Sequence, residues 1–236
     1  RAQHAVGLTG AMRMGQADGR RAGPVVGSVP AMARVELIGL DGDDTLWHSE
    51  RYFATTQERI RSLLAPWADA ETFDEALLAT ERANLARFGY GVKGFLLSTI
   101  ETAIELTAGR VPATAIGHII GWGKDLLDHP VELLDGVADV LAELASSHRL
   151  VLVTKGDLFH QETKVASSGL AGLFEAVHIV SEKDPDTYRR VLDAAGVEPA
   201  GFVMVGNSLR SDVLPAAEIG ARGVHVPYQI TWGLEQ

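Results

Sequence analysis

The chain has no cysteine among its 236 residues. Disulfides, thiolate metal sites and cysteine nucleophiles are thereby excluded, and the absence suits a cytoplasmic protein. No apolar run approaches the roughly 20 residues of a membrane-spanning helix, so a membrane partner is not expected. Positive charge is also scarce: 21 Lys and Arg face 31 Asp and Glu, a net charge of −10. That balance argues against nucleic acid as a partner. It does not exclude a small anionic substrate, because a bound divalent cation inverts the local field.

The first residues differ from the rest. Residues 1–31 hold Arg1, Arg13, Arg20 and Arg21 against the single acid Asp18, with Gly and Ala throughout and no sustained periodicity. Residues 1–33 are read as a disordered tail, for which a vector-derived or upstream extension is as good an account as a transit peptide. Setting the +3 of this tail against the total of −10 leaves −13 on the remainder.

What the remainder does have is an acid cluster in a telling place. The apolar run Val35-Glu-Leu-Ile-Gly-Leu40 leads directly into Asp41-Gly-Asp43-Asp44-Thr45. A short strand ending in acids puts carboxylates at the C-terminal edge of a sheet, where ligands bind in open α/β folds. Three acids in four residues repel one another unless a cation sits among them, so the cluster suggests a nucleophile beside a Mg²⁺ site. The plainer account is an acidic turn whose Asp or Thr caps the next helix.

From about 49 to 128 the pattern is helical. Phe73, Leu77, Thr80, Leu85 and Phe88 recur at three- and four-residue steps, as do Phe95, Thr99, Ile100, Ala103 and Ile104, and the breaks predict about four helices. From 136 onwards strands alternate with helices. Strands are predicted at 149–154, 176–180, 202–206 and 223–226, with helices near 136–147, 158–169, 185–196 and 210–220. This alternation predicts a parallel sheet covered on both faces. The strand at 35–40 belongs to the same sheet, which makes the helical block an insertion.

Each predicted strand ends in a residue suited to phosphate chemistry. Asp41 and Asp43 follow the first, Thr154 the second, Lys183 the third after a short spacer, and Asn207 the fourth, with Asp212 five residues on. An Asp nucleophile can form an aspartyl-phosphate. A second Asp two residues away can protonate the leaving oxygen and then activate water. Thr154 and Lys183 can hold the phosphoryl oxygens while Mg²⁺ neutralises charge.

Hydrophobic–Asp-x-Asp-x-Thr-Leu, a strand-end Thr, a Lys and Gly-Asn-x-x-x-x-Asp together resemble the four motifs of the haloacid dehalogenase superfamily, from about Val35 to the C-terminus. The resemblance implies an α/β fold, a Rossmann-like parallel sheet over residues 34–47 and 131–236, with an inserted all-helical cap of the C1 type over 48–130. It implies Asp41 as nucleophile and Asp43 as general acid/base whose backbone carbonyl also meets Mg²⁺. Thr154 is implied as the phosphate-binding hydroxyl and Lys183 as the steadying cation. Asn207 and Asp212 complete the metal set with Asp41 and Asp43. Asn207 departs from the commoner Asp, and which of Asn207 and Asp212 is the inner ligand stays open.

The expected activity is Mg²⁺-dependent hydrolysis of a small phosphomonoester. Asp43 speaks against a C–halogen dehalogenase, since halide needs no proton to leave. A phosphosugar mutase shares the first half-reaction and stays open, as does a binding module that has lost catalysis. A phosphonate hydrolase would need a Schiff-base lysine, for which Lys93 is the candidate. The milder expectation for Lys93 is contact with an anionic leaving group, with Arg87 and Tyr90 weaker candidates. Lys155 is expected to add positive potential near the phosphate, Asp157 to cap the helix at Leu158, and Trp47 to pack at the hinge. His48 is expected as a surface histidine at the junction of core and insertion rather than a substrate contact, and His160, His178 and His225 are scattered through core elements without the spacing of a metal site. Oligomeric state is not legible.

Overall fold

The strand ahead of the acid cluster forms as β1, Leu37–Leu40, and all four of its residues are buried. The computed structural model describes residues 34–235, so the expected tail over 1–33 lies outside the described residues. Four further strands complete a sheet: β2 (Arg149–Lys155), β3 (Ala176–Val180), β4 (Phe202–Gly206) and β5 (Arg222–His225). Their order is β3-β2-β1-β4-β5 and every pairing is parallel. The chain is therefore an α/β protein with the parallel, Rossmann-like sheet expected of it.

β1 is central, with Leu37 opposite Arg149 on one side and Phe202 on the other. The chain builds outward through β2 and β3, then returns across β1 to add β4 and β5. Strand order thus reverses between β1 and β4, and a crevice opens beyond their C-terminal ends.

The strand sequences are apolar without alternation because both faces are covered. One face joins Leu37, Val151, Val153, Phe202 and Met204 to α7 (Pro185–Ala195) and α8 (Leu214–Glu218). The other joins Ile38, Leu40, Leu150 and Leu152 to α5 (Val137–Ala145) and α6 (Leu158–Ser167), with Trp47 in the same cluster. Gly39 lies against Phe202, where a Cβ would come within 2.5 Å of the ring, so a residue with a side chain does not fit there.

Four helices occupy the predicted helical stretch: α1 (Glu50–Leu64), α2 (Ala70–Phe88), α3 (Val92–Leu106) and α4 (Ala113–Leu127). They close around a core of their own, in which Ile60, Leu64, Phe73, Leu77 and Ile119 are almost fully buried. The breaks have local causes. Asp69 caps α2 by accepting from Thr72 N at 2.8 Å, and Gly89 and Gly91 take positive φ between α2 and α3.

One expected element differs. In place of a helix over 210–220, Leu209–Val213 forms a widened π turn and α8 begins only at Leu214. Pro215 explains the break, because it has no N–H to return to the Ser211 carbonyl. That carbonyl instead accepts from Tyr188 Oη at 2.9 Å. The widened turn carries Asp212.

Candidate active site

The turn after β1 is shaped by Asp44, whose φ of 62° is unusual for a residue with a side chain. Its carboxylate accepts from Ser49 N at 2.8 Å and Glu50 N at 3.0 Å, capping α1 from outside the helix. The plainer account of the acid cluster is thus correct for Asp44. Burial, the larger influence, pushes this carboxyl up to about 6 against the pull of the two N–H groups. Asp41 and Asp43 are released for other work.

Asp41 is 6% exposed and paired to Lys183, which is 4% exposed. The Lys183 ammonium also reaches Asp212 Oδ1 at 2.7 Å, so one buried cation joins two buried carboxylates from different strand ends. Burial pushes the Asp41 carboxyl up to about 7, against the opposing charge of Lys183. Burial alone would lower the Lys183 ammonium, but Asp212 and Asp41 outweigh it and raise it. Asp212 Oδ2 accepts from Ser208 N at 3.0 Å. This close approach requires Gly206, since a Cβ there would collide with the Asp212 carboxylate.

Asp43 has a different setting. Its oxygens accept from Trp47 Nε1 at 2.6 Å, Gln161 Nε2 at 2.9 Å and Lys164 Nζ at 2.7 Å. Burial works to raise this carboxyl, yet the charge of Lys164 and the three donors hold it below the usual range. Two acids on one turn are therefore pushed in opposite directions by their surroundings.

Thr154 Oγ1 accepts from Gln161 Nε2 at 3.2 Å, the same amide that donates to Asp43. On the far side, Thr45 Oγ1 lies 3.4 Å from Asp41 Oδ2 and 3.5 Å from Asn207 Oδ1. Two oxygens from β1 and β4 therefore converge on one hydroxyl. An oxygen-only set of this kind, beside the carboxylate of Asp212, fits a hard divalent cation.

A cavity of about 170 Å³ spans these groups and is walled on its far side by α1–α3 and the C-terminal segment. Asp41, Asp43, Thr154, Lys155, Lys183, Asn207 and Asp212 all line it. Lys93 does not: its ammonium sits 2.8 Å from Asp157 Oδ2, and Arg87 is likewise absent from the lining. Asp157 also accepts from His160 N at 3.0 Å, capping α6 as expected. Lys155 lines the cavity with its ammonium already occupied, paired with Glu235, 2.8 Å from Ser211 Oγ and over the Tyr90 ring. Tyr90 lines the cavity and donates to Glu182 at 2.6 Å.

Several site residues escape sequence reasoning. Gln161 and Lys164 lie on α6, which follows the Thr154 strand; their position just after a strand end is the one signal that could have flagged them. Trp47 is fully buried in the core cluster on one face of the sheet and also donates to Asp43. Glu50 on α1 and Glu81 on α2 face the cavity and carry no sequence signal. Burial pushes Glu50 up to about 8 and Glu81 up to about 7. His160, read as a scattered core histidine, lines the cavity and is driven down to about 4 by burial. His48 instead meets Tyr228 Oη at 2.6 Å.

The model of the haloacid dehalogenase-like hydrolases matches residues 35–220. The chain is 48% identical to a haloacid dehalogenase-like family hydrolase of known structure from Xanthomonas campestris, over 85% of this chain and 87% of that one, with a TM-score of 0.79. It is 31% identical to mouse N-acylneuraminate-9-phosphatase over 129 residues, 52% of each chain. The chain thus spans about half the length of that curated relative. It is 28% identical to phosphoserine phosphatase of Thermus thermophilus over 81% of this chain and 88% of that one.

Proposed function

The chain belongs to the haloacid dehalogenase-like hydrolases, and from that premise we propose that it hydrolyses a small phosphomonoester through an aspartyl-phosphate on Asp41. One observation carries this reading: a second acid, Asp43, lines the same cavity as Asp41 on the same turn. An alkoxide leaving from phosphorus needs a proton and a halide does not, so a positioned second acid favours phosphate over halide chemistry. The curated relatives named as phosphatases support the same choice.

In this reading an Asp41 oxygen attacks phosphorus, the P–O bond to the leaving group breaks, and the departing oxygen takes a proton from Asp43. Asp43 then accepts a proton from water, whose oxygen attacks the aspartyl-phosphate, releasing phosphate and restoring Asp41. Asp43 has to leave the Lys164 ammonium to carry that proton. Thr154 and Lys183 hold the phosphoryl oxygens. Asp41, Asn207 and the Asp43 backbone carbonyl would hold Mg²⁺, with Asp212 beside them; when bound, the ion supplies neutralising charge on the phosphoryl oxygens. Asn207 is favoured as inner ligand because both Asp212 oxygens are engaged, by Lys183 and by Ser208 N.

The helical block over 48–130 would act as a cap on the core of 34–47 and 131–236, excluding water during the reaction. Lys93, held by Asp157 outside the lining, lends nothing to a Schiff-base mechanism. A cytoplasmic setting belongs to the same reading, on the lack of cysteine.

The test is release of inorganic phosphate from p-nitrophenyl phosphate with and without Mg²⁺, comparing wild type with Asp41→Asn. Metal-dependent turnover that falls at least about a thousandfold in the variant is expected. Folded, Mg²⁺-supplied protein that turns over no ester would overturn the reading.

A further inference from the structure

The cations that line the cavity are already committed. Three lysines line it, and each is committed: Lys183 to Asp41 and Asp212, Lys164 to Asp43, Lys155 to Glu235 and Glu182. No arginine lines it among the described residues. The helical wall of the cavity, formed by α1–α3 and the C-terminal segment, brings carboxyls instead. Glu50, whose N–H meets the Asp44 carboxylate at 3.0 Å, and Glu81 both line this wall, and the charges of Asp44 and then Glu81 bear on Glu50's ionisation. The Glu50 carboxyl has no hydrogen-bond or ion-pair partner among the described residues. Glu81 receives one N–H, from Trp232 Nε1 at 3.1 Å on its Oε2, leaving Oε1 open.

A third acceptor is independent of this pair. Gln161 is 2% exposed, lines the cavity, and its Oε1 has no partner. Its amide orientation is fixed, because Nε2 serves three acceptors at once: Asp43 Oδ2, Thr154 Oγ1 and Lys155 O. Turning the amide would put its oxygen against the Asp43 carboxylate and the Lys155 carbonyl, neither of which can donate. A buried acceptor left without a donor is destabilising, and a part-buried carboxyl away from any cation keeps its proton until a counter-charge arrives. The ligand that relieves the two glutamates donates hydrogen bonds and is positively charged. A leaving group bearing a carboxylate or second phosphate would meet Glu50 and Glu81 with no free cation to offset them.

Resting on the phosphatase reading above, we infer that the substrate is a phosphomonoester whose leaving group carries a protonated amine held by Glu50 and Glu81, and no second anionic group. Aromatic side chains of the same wall, Phe53, Phe95 and Trp232, suit an ammonium as well as its carbon chain. Trp232 orients Glu81, and the C-terminal segment that bears it is anchored to the sheet edge by Glu235, which accepts from Ser208 Oγ at 2.6 Å and Ser211 Oγ at 2.7 Å.

The test is kcat/KM for phosphate release from matched esters: 2-aminoethyl phosphate, 2-hydroxyethyl phosphate and phosphoglycolate, with O-phosphoserine as the ester bearing both charges. p-Nitrophenyl phosphate is run on the same sample. The amine ester is expected to exceed the hydroxyl ester about tenfold or more and phosphoglycolate by a wider margin, with O-phosphoserine below 2-aminoethyl phosphate. Glu50→Gln and Glu81→Gln should each bring the amine-to-hydroxyl ratio towards one, chiefly through the KM of the amine ester. Turnover of p-nitrophenyl phosphate without an amine preference overturns this inference alone. So does a Glu50→Gln variant that keeps the preference and changes only the Mg²⁺ concentration required. Absence of all turnover removes the phosphatase reading and this inference with it.

Discussion

Lys164 Nζ lies 2.7 Å from Asp43 Oδ1, so the acid proposed to protonate the leaving group rests against a fixed positive charge. Lys164 is largely buried, with its side chain 13% exposed, and the pairing is correspondingly little screened by solvent. The contact favours the ionised form of Asp43, which is the form needed to activate water and the wrong one for donating a proton.

Replacing Lys164 by Met should therefore let the Asp43 carboxyl rise. The alkaline limb of the kcat–pH profile is expected to move upward by about one pH unit, the scale on which a neighbouring opposite charge acts on a carboxylate. An unmoved limb in the variant would show that Asp43 has already left Lys164 in the working enzyme.

Lys183 neutralises Asp41 and Asp212 together in a site from which water is almost excluded. Lys183→Met leaves two buried carboxylates unopposed and should destabilise the fold by about 3–5 kcal/mol in urea unfolding at neutral pH. The loss should shrink as pH falls. Asp41 then takes up a proton more readily in the folded than in the unfolded chain, so the folded state gains on acidification. A loss independent of pH would point to lost packing of the lysine stem instead.

Gly206 gives way to the Asp212 carboxylate at the end of β4. Gly206→Ala should displace Asp212, cost about 1–3 kcal/mol of stability through overpacking, and depress turnover well beyond what that loss explains. Retained activity with an unchanged unfolding midpoint would mean that the π turn can shift to make room.

Glu50 titrates near 4.5 in an unfolded chain and at about 8 in the folded one. Between those values the unfolded chain has released a proton that the folded chain retains, so stability falls as pH rises from about 5 to 8. Glu50→Gln should remove its share, on the order of 1–2 kcal/mol after allowance for partial exposure. Urea midpoints at about pH 5.5 and pH 8 check it. Wild type should lose more than the variant over that interval; parallel losses would show that Glu50 ionises freely.

Much of this protein is legible in one dimension. Strand positions follow from short apolar runs that must be buried on both faces, and the helical block from its three- and four-residue spacing. The residues at strand ends could be grouped at one edge because parallel strands share a direction, which is a statement about topology and needs no coordinates. Local signals also suffice for Asp157 and Asp69, whose capping depends only on neighbours in sequence. The break before Pro215 was equally local, though a helix was expected across it.

Tertiary structure decided the rest. Asp44 turns its carboxylate to the N–H groups that open α1 while Asp41 and Asp43 meet Lys183 and Lys164, a division made at a single left-handed residue in a three-acid run. Lys93 faces Asp157 and Lys164 faces Asp43, although a loop lysine between glycines is the more conspicuous in sequence. Glu50 and Glu81 stand thirty-one positions apart on different helices, each with the appearance of a solvated helix acid. What sets them in one cavity is the packing of α1 and α2 over the sheet edge. Secondary structure and motif order arise from short-range geometry and the sign of each side chain's transfer from water, which the sequence states directly. Pairing of charges and burial of acids arise from distances between segments remote in the chain, and only the folded chain defines those.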